Sequence, residues 1–202
     1  MVVLCGCSVK RNNFFSRNYH QLTTRYNVYF NGDQALKSGI KHMENRHKED
    51  YTHLLPVFVS NDEQTRSICS SDMDYVIEKA AKAIDKHSIT AKSRRRKNKD
   101  SKNYQTFRKK KEFNNQLDKC YLLLGKAYFY KKKYTMANNT FRFIQRQYAE
   151  DEALMTEVSI WLFRSLTEMG RYEEAARIMD RLDGSTLKRK QREMVAAART
   201  DF

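Results

Sequence analysis

The chain has 202 residues, with 1 Pro and 6 Gly among many Lys, Leu, Ala and Met, a composition that favours helix. That length suits one sizeable core or a short stack of helical hairpins, and no apolar run approaches the ~20 residues that span a bilayer. The net charge of +15 is concentrated: residues 88–111 hold eleven Lys or Arg against one Asp, so a basic insert, not a basic fold, sets the high pI.

The first segment, residues 1–14, opens MVVLCGCSVKRNN. Leu4-Cys5-Gly6-Cys7 has the shape of a bacterial lipobox, in which an aliphatic and a small residue precede the cysteine to be lipidated. The Cys7 thiol would take the diacylglycerol, and the small residues before it give the signal peptidase access. A secretory signal also carries an apolar stretch of about 7–15 residues. Only six residues precede Cys7, so a lipobox requires a start upstream of Met1; the alternative is a chance match. Read as a lipoprotein, residues 1–14 are a signal remnant and tether.

Residues 15–87 read as helical hairpins. Phe15, Tyr19, Leu22, Tyr26, Tyr29 and Phe30 form a stripe at helical spacing. Asn31-Gly32-Asp33 is expected to break that helix, with Asp33 capping a second one over residues 34–46. Residues 50–60, interrupted by Pro56, suggest an extended connector. Ser71 or Asp72 is expected to cap a helix over residues 73–87, with Tyr75, Val76, Ile77, Ala80, Ala81 and Ile84 as its buried face, which leaves Cys69 in a loop. Residues 88–111 are polar and basic and read as a mobile loop.

Residues 112–202 carry the clearest pattern. From residue 118 to 149 the sequence fits one tetratricopeptide-type unit, two antiparallel helices over about 34 residues. Tyr121, Leu124 and Tyr128 take the large places of the first helix, with Gly125 after Leu124. Tyr134 sits at the turn, and Ala137 and Phe141 take the small and large places of the second helix. The small Gly125 and Ala137 let the two helices approach. A second unit follows at an offset of 38 residues, with Leu162, Tyr172 and Ala175 at matching places and Phe163 where the glycine stood. The longer offset implies about one extra helical turn. Residues 188–199 suggest another helix. Such units bury their apolar faces only by stacking, and solenoids usually end in a polar cap. None is visible before Phe202, which leads to the expectation of a longer protein.

A catalytic reading finds little support. The five histidines show no metal spacing such as HExxH, and neither a phosphate-binding glycine loop nor a GxSxG elbow occurs. No enzyme activity, metal or cofactor is expected. Cys120 reads as a small packing residue. Glu173-Glu174 suit a helix start. Arg94, Arg95, Arg96 and Lys97, with Lys109, Lys110 and Lys111, are candidate contacts for anionic lipid, an acidic partner or nucleic acid; the bland reading is a solvated loop. Lys119, Lys126 and Tyr130 are candidates for lining a concave partner groove by helical position.

Four blocks in order after Cys7 carry a family resemblance: SRNYHQLTTRYNVYFNGDQALKSGI (16–40), DYTHLLPVF (50–58), MDYVIEKAAKAIDKHSI (73–89) and LDKCYLLLGKAYFYKKKY (117–134). Together they resemble the N-terminal part of the SprE/PorW-type repeat-containing lipoproteins of Bacteroidetes gliding motility and type IX secretion. The resemblance covers roughly residues 7–149. It implies an outer-membrane lipoprotein with periplasmic repeats, lipidated at Cys7, that binds other subunits of the machinery and supports export of proteins with C-terminal signals. Nucleic acid is not an expected partner at that location. The expectation is thus an all-α, tetratricopeptide-like solenoid acting as a scaffold. The rival is a cytoplasmic helical-repeat protein whose basic loop binds nucleic acid.

Overall fold

The computed structural model describes residues 8–48, 51–52, 63–92, 101–183, 187 and 189–200, and among these no strand occurs. The chain is all-helical. It begins with α1 (Phe14–Thr23), a π-helical segment (Thr24–Tyr29) and α2 (Phe30–Arg46). Then come α3 (Glu63–His87), the short α4 (Lys102–Lys109), α5 (Leu117–Tyr130) and α6 (Tyr134–Gln147). The last three are α7 (Glu152–Glu168), α8 (Tyr172–Asp183) and α9 (Arg189–Thr200).

Apart from α4, the helices pack largely in chain order. α2 packs on α3, α3 on α5, α5 on α6, α6 on α7 and α7 on α8, while α9 returns to α7. Leu36, Met43, Cys69 and Met73 close one core with Leu123 and Ala127 of α5, so packing is continuous across the basic segment. A larger core joins α5 to α9 around Phe129, Phe141, Trp161, Phe163, Ile178 and Val195.

The helix pairs α5–α6 and α7–α8 are joined by the same turn. Lys133 N–H donates to Tyr128 O at 2.9 Å and Lys132 N–H to Phe129 O at 2.8 Å. Arg171 N–H donates to Leu166 O and Gly170 N–H to Thr167 O, each at 2.9 Å. Both are Schellman-type endings with a left-handed residue, Lys132 at φ 54° and Gly170 at φ 70°. Every partner is displaced by the 38 residues that separate the two sequence patterns. The extra turn lies in the first helix, since α7 has 17 residues and α5 has 14.

Several expectations about residues 15–111 are corrected. Asn31-Gly32-Asp33 does not interrupt the chain, which runs helically from Phe14 to Arg46. Gly32 is buried, and a Cβ there would fall 2.7 Å from Leu123 Cδ2, so this glycine serves close packing and not a break. Asp33 caps nothing; its carboxylate holds Lys37 Nζ at 2.6 Å one turn on. Ser71 and Asp72 lie within α3, which already begins at Glu63 and places Cys69 inside the helix. Met73, Val76, Ala80 and Ala83 form its buried face, whereas Tyr75 and Ala81 are exposed. Part of the expected loop is ordered: α4 spans Lys102–Lys109, and Lys92 Nζ donates to Arg108 O and Lys110 O near its end. The expected connector lies outside the described residues except for Tyr51 and Thr52.

The aromatic stripe lies on a helix, as its spacing predicts, but on the outward side. The buried face is polar: Ser16, His20 and Thr24 point inward, and Val28, Gly32 and Leu36 continue the line in steps of four. Steps of four on an α-helix drift by roughly 40° each. The wider i→i+5 turn of Thr24–Tyr29 takes part of that drift back and keeps one face inward from Ser16 to Leu36. Phe15, Tyr19, Leu22 and Tyr26 consequently face outward.

Candidate partner-binding surfaces

Two clefts on the stack are walled by described residues. The smaller, about 280 Å³, lies where α5 and α7 meet the start of α2. Tyr29, Asp33, Lys119, Leu122, Lys126 and Glu157 are among its walls. Lys126 Nζ sits 2.7 Å from Glu157 Oε1 and 5.4 Å from the centre of the Trp161 ring. Lys119 Nζ lies 5.9 Å from the Tyr29 ring centre. Both lysines expected at a groove are therefore on this wall. Tyr130 is not: its ring packs 5.9 Å from Trp161, and burial pushes its hydroxyl above the usual range. The reason is the seat of α3 against α5, which brings Cys69 Sγ to 4.0 Å from Tyr130 O.

The larger cleft, about 810 Å³, runs from the end of α4 to the α6–α7 turn. Lys109, Lys110, Lys111 and Arg146 supply its cations, and Glu150 and Glu152 line it as well. Asp151 also borders it while capping α7, accepting Leu154 N–H at 3.0 Å. This cleft carries mixed charge, unlike the uniformly positive channel that tracks a nucleic-acid backbone. Asp118 borders both clefts, and burial raises its pKa. Arg94, Arg95, Arg96, Lys97 and the proposed lipidation site Cys7 lie outside the described residues.

The repeat-pattern residues divide between core and edge. Gly125 is buried against the Phe141 ring; a Cβ at Gly125 would lie 2.8 Å from Cζ and closer to Cε1. Its smallness admits a ring from α6 and not, as expected, the backbone itself. Ala137, Leu162 and Ala175 are buried, while Tyr121, Leu124, Tyr128 and Tyr134 are partly so. Tyr121 packs 4.6 Å from the Phe143 ring. Tyr134 packs 5.4 Å from Phe129. Tyr172, its counterpart, is exposed. The residue 38 positions after Phe129 is Thr167, which offers no ring to cover it.

Three features went unread in the sequence. Arg164 is buried, with its guanidinium 4.7 Å from both the Phe129 and Trp161 ring centres. Glu112 ties down the end of the basic segment: its carboxylate accepts from Ser88 Oγ at 2.6 Å and from the N–H groups of Ile89, Phe113 and Asn114 at 2.7–2.9 Å. A lone acid directly after Lys109-Lys110-Lys111 was the available signal. Asn114 Nδ2 donates to Thr24 Oγ1 and His87 O. Beside it His20 Nδ1 and His87 Nδ1 stand 2.8 Å apart, and burial foremost, then His20, lowers the His87 pKa.

Among the described residues no group of three or more His, Cys, Asp or Glu converges as a metal site, and no helix is long and apolar enough to cross a membrane. Cys69 and Cys120 are buried free thiols, and burial pushes Cys120 up to about 12. Compared with known proteins, the chain matches no family model, and no curated protein matches it.

Proposed function

We propose that this chain is a tetratricopeptide-like helical-repeat adaptor, an α-solenoid segment held to the periplasmic face of the outer membrane by a lipid on Cys7. In this reading it serves type IX secretion and gliding by binding other subunits of that machinery. It turns over no substrate. The observation that carries the scaffold part is the pair of hairpins with identical turn bonds 38 residues apart, stacked in chain order beside clefts walled by charged side chains. Units of that kind present extended surfaces to partners. The assignment to secretion rests on the four sequence blocks that follow Cys7.

Deleting the protein in its host is expected to block export of proteins with C-terminal secretion signals, and normal export overturns the secretion role. Fractionation with a labelled fatty acid tests the anchor, using the native upstream sequence and comparing wild type with Cys7→Ser. Label and outer-membrane location that depend on Cys7 support it. An unlabelled cytoplasmic protein that binds RNA or DNA tightly, with steep salt dependence, would favour the nucleic-acid reading instead.

A further inference from the structure

The outward face of α1 and the π-helical segment after it is apolar and exposed among the described residues. Phe15 is 79% exposed, Leu22 56%, Tyr26 58% and Tyr19 50%, aligned along one side of the helix at intervals of four, three and four residues. Phe14 and Phe30 extend the patch at its ends and are also exposed. Solvent-facing helices ordinarily carry polar side chains there. A contiguous exposed apolar patch of this kind marks an interaction site.

Charge decides what the occupant is. Residues 1–32 contain no Asp or Glu, while Lys10, Arg11, Arg17 and Arg25 are all basic. Lys10, Arg11 and Arg25 are exposed, and the Arg25 guanidinium lies 5.3 Å from the Tyr26 ring centre, at the flank of the stripe. Arg17 reaches over the Phe107 ring of α4 at 5.2 Å. That helix and the residues around it (101–111) are likewise free of acids. Aromatic and aliphatic side chains in a row, in a stretch of sequence that carries cations and no acids, are the composition of a helix that lies in the headgroup layer of an anionic bilayer. Tyrosines suit that layer because one end of the ring is apolar and the other wet.

We propose that α1 lies flat on an anionic phospholipid surface, with Phe15, Tyr19, Leu22 and Tyr26 in the headgroup layer and Arg11 and Arg25 on lipid phosphates. This contact needs no acyl chain on Cys7, so it stands or falls apart from the lipoprotein reading.

The test is co-sedimentation of the full Cys7→Ser chain with vesicles. It is expected to pellet with phosphatidylcholine vesicles containing phosphatidylglycerol and to stay in solution with phosphatidylcholine alone. Phe15→Ser/Leu22→Ser, with helicity checked by circular dichroism, is expected to weaken that binding about tenfold or more. If that variant loses helicity, Arg11→Glu/Arg25→Glu serves in its place, with a similar loss expected. A parent that ignores anionic vesicles overturns the proposal. So does a folded stripe variant that binds them as the parent does, because the lipid contact then belongs to the basic segment. Concentration-dependent self-association of the parent that the stripe substitutions abolish, with vesicle binding unchanged, assigns the face to a second copy and also overturns it.

Discussion

Gly125 and Phe141 show how one hydrogen atom in place of a side chain sets a helix pair. A Cβ at Gly125 would come within 3 Å of three atoms of the Phe141 ring, which is fully buried and has nowhere to swing. Gly125→Leu is therefore expected to destabilise the protein by about 1–3 kcal/mol, the usual cost of overpacking, visible as a lower melting temperature. An unchanged melting temperature would mean that the α5–α6 contact is far looser than its geometry. Much of this was legible from spacing alone. Gly125, Ala137 and Phe141 are buried at the places where the spacing sets large and small residues. The inward turn of Ser16, His20 and Thr24 was not legible. Hydrophobic periodicity sends aromatics inside, and here buried partners such as Asn114 Nδ2 on Thr24 Oγ1 favour the polar face instead.

At the level of elements, the two hairpin turns form a natural matched pair. Both need a left-handed residue, which Gly170 adopts freely and Lys132 adopts at a steric cost. A Cβ at Gly170 would meet nothing within 4 Å, so any loss in Gly170→Ala is a backbone effect, expected at about 1 kcal/mol. Lys132→Gly is expected to do the reverse and raise stability by up to about 1 kcal/mol. Urea unfolding of both variants checks this; equal effects of the same sign would contradict the equivalence of the turns. Helix ends were read less well than helix existence. Asn31-Gly32-Asp33 and Ser71-Asp72 carry ordinary start and stop residues, yet tertiary contacts hold them in mid-helix: Gly32 against Leu123, Asp72 beside His42. The exposed side of α1 escaped notice because a buried and an exposed apolar stripe have the same period.

For the whole molecule, the order of packing matters more than any one contact. Each hairpin rests mainly on its neighbours in the chain, so stability should be shared locally and fall off with distance along the stack. Ile178→Ala, a truncation in the core of α8, is expected to cost about 2–5 kcal/mol. Hydrogen exchange should speed up in α7, α8 and α9 while amides of α2 and α3 keep their protection. A uniform rise across all helices would show a single cooperative unit instead.

The unbroken passage from α1 through the π turn into α2 has a mechanical consequence. From Phe14 to Arg46 it forms a strut roughly 50 Å long, at about 1.5 Å per residue. A joint at Asn31 would let α1 swivel relative to the hairpins. A continuous helix transmits torque, so the direction in which α1 presents its aromatics and the direction in which the α5–α7 cleft opens are locked together. A surface that held α1 by its aromatics would therefore also set the bearing of that cleft.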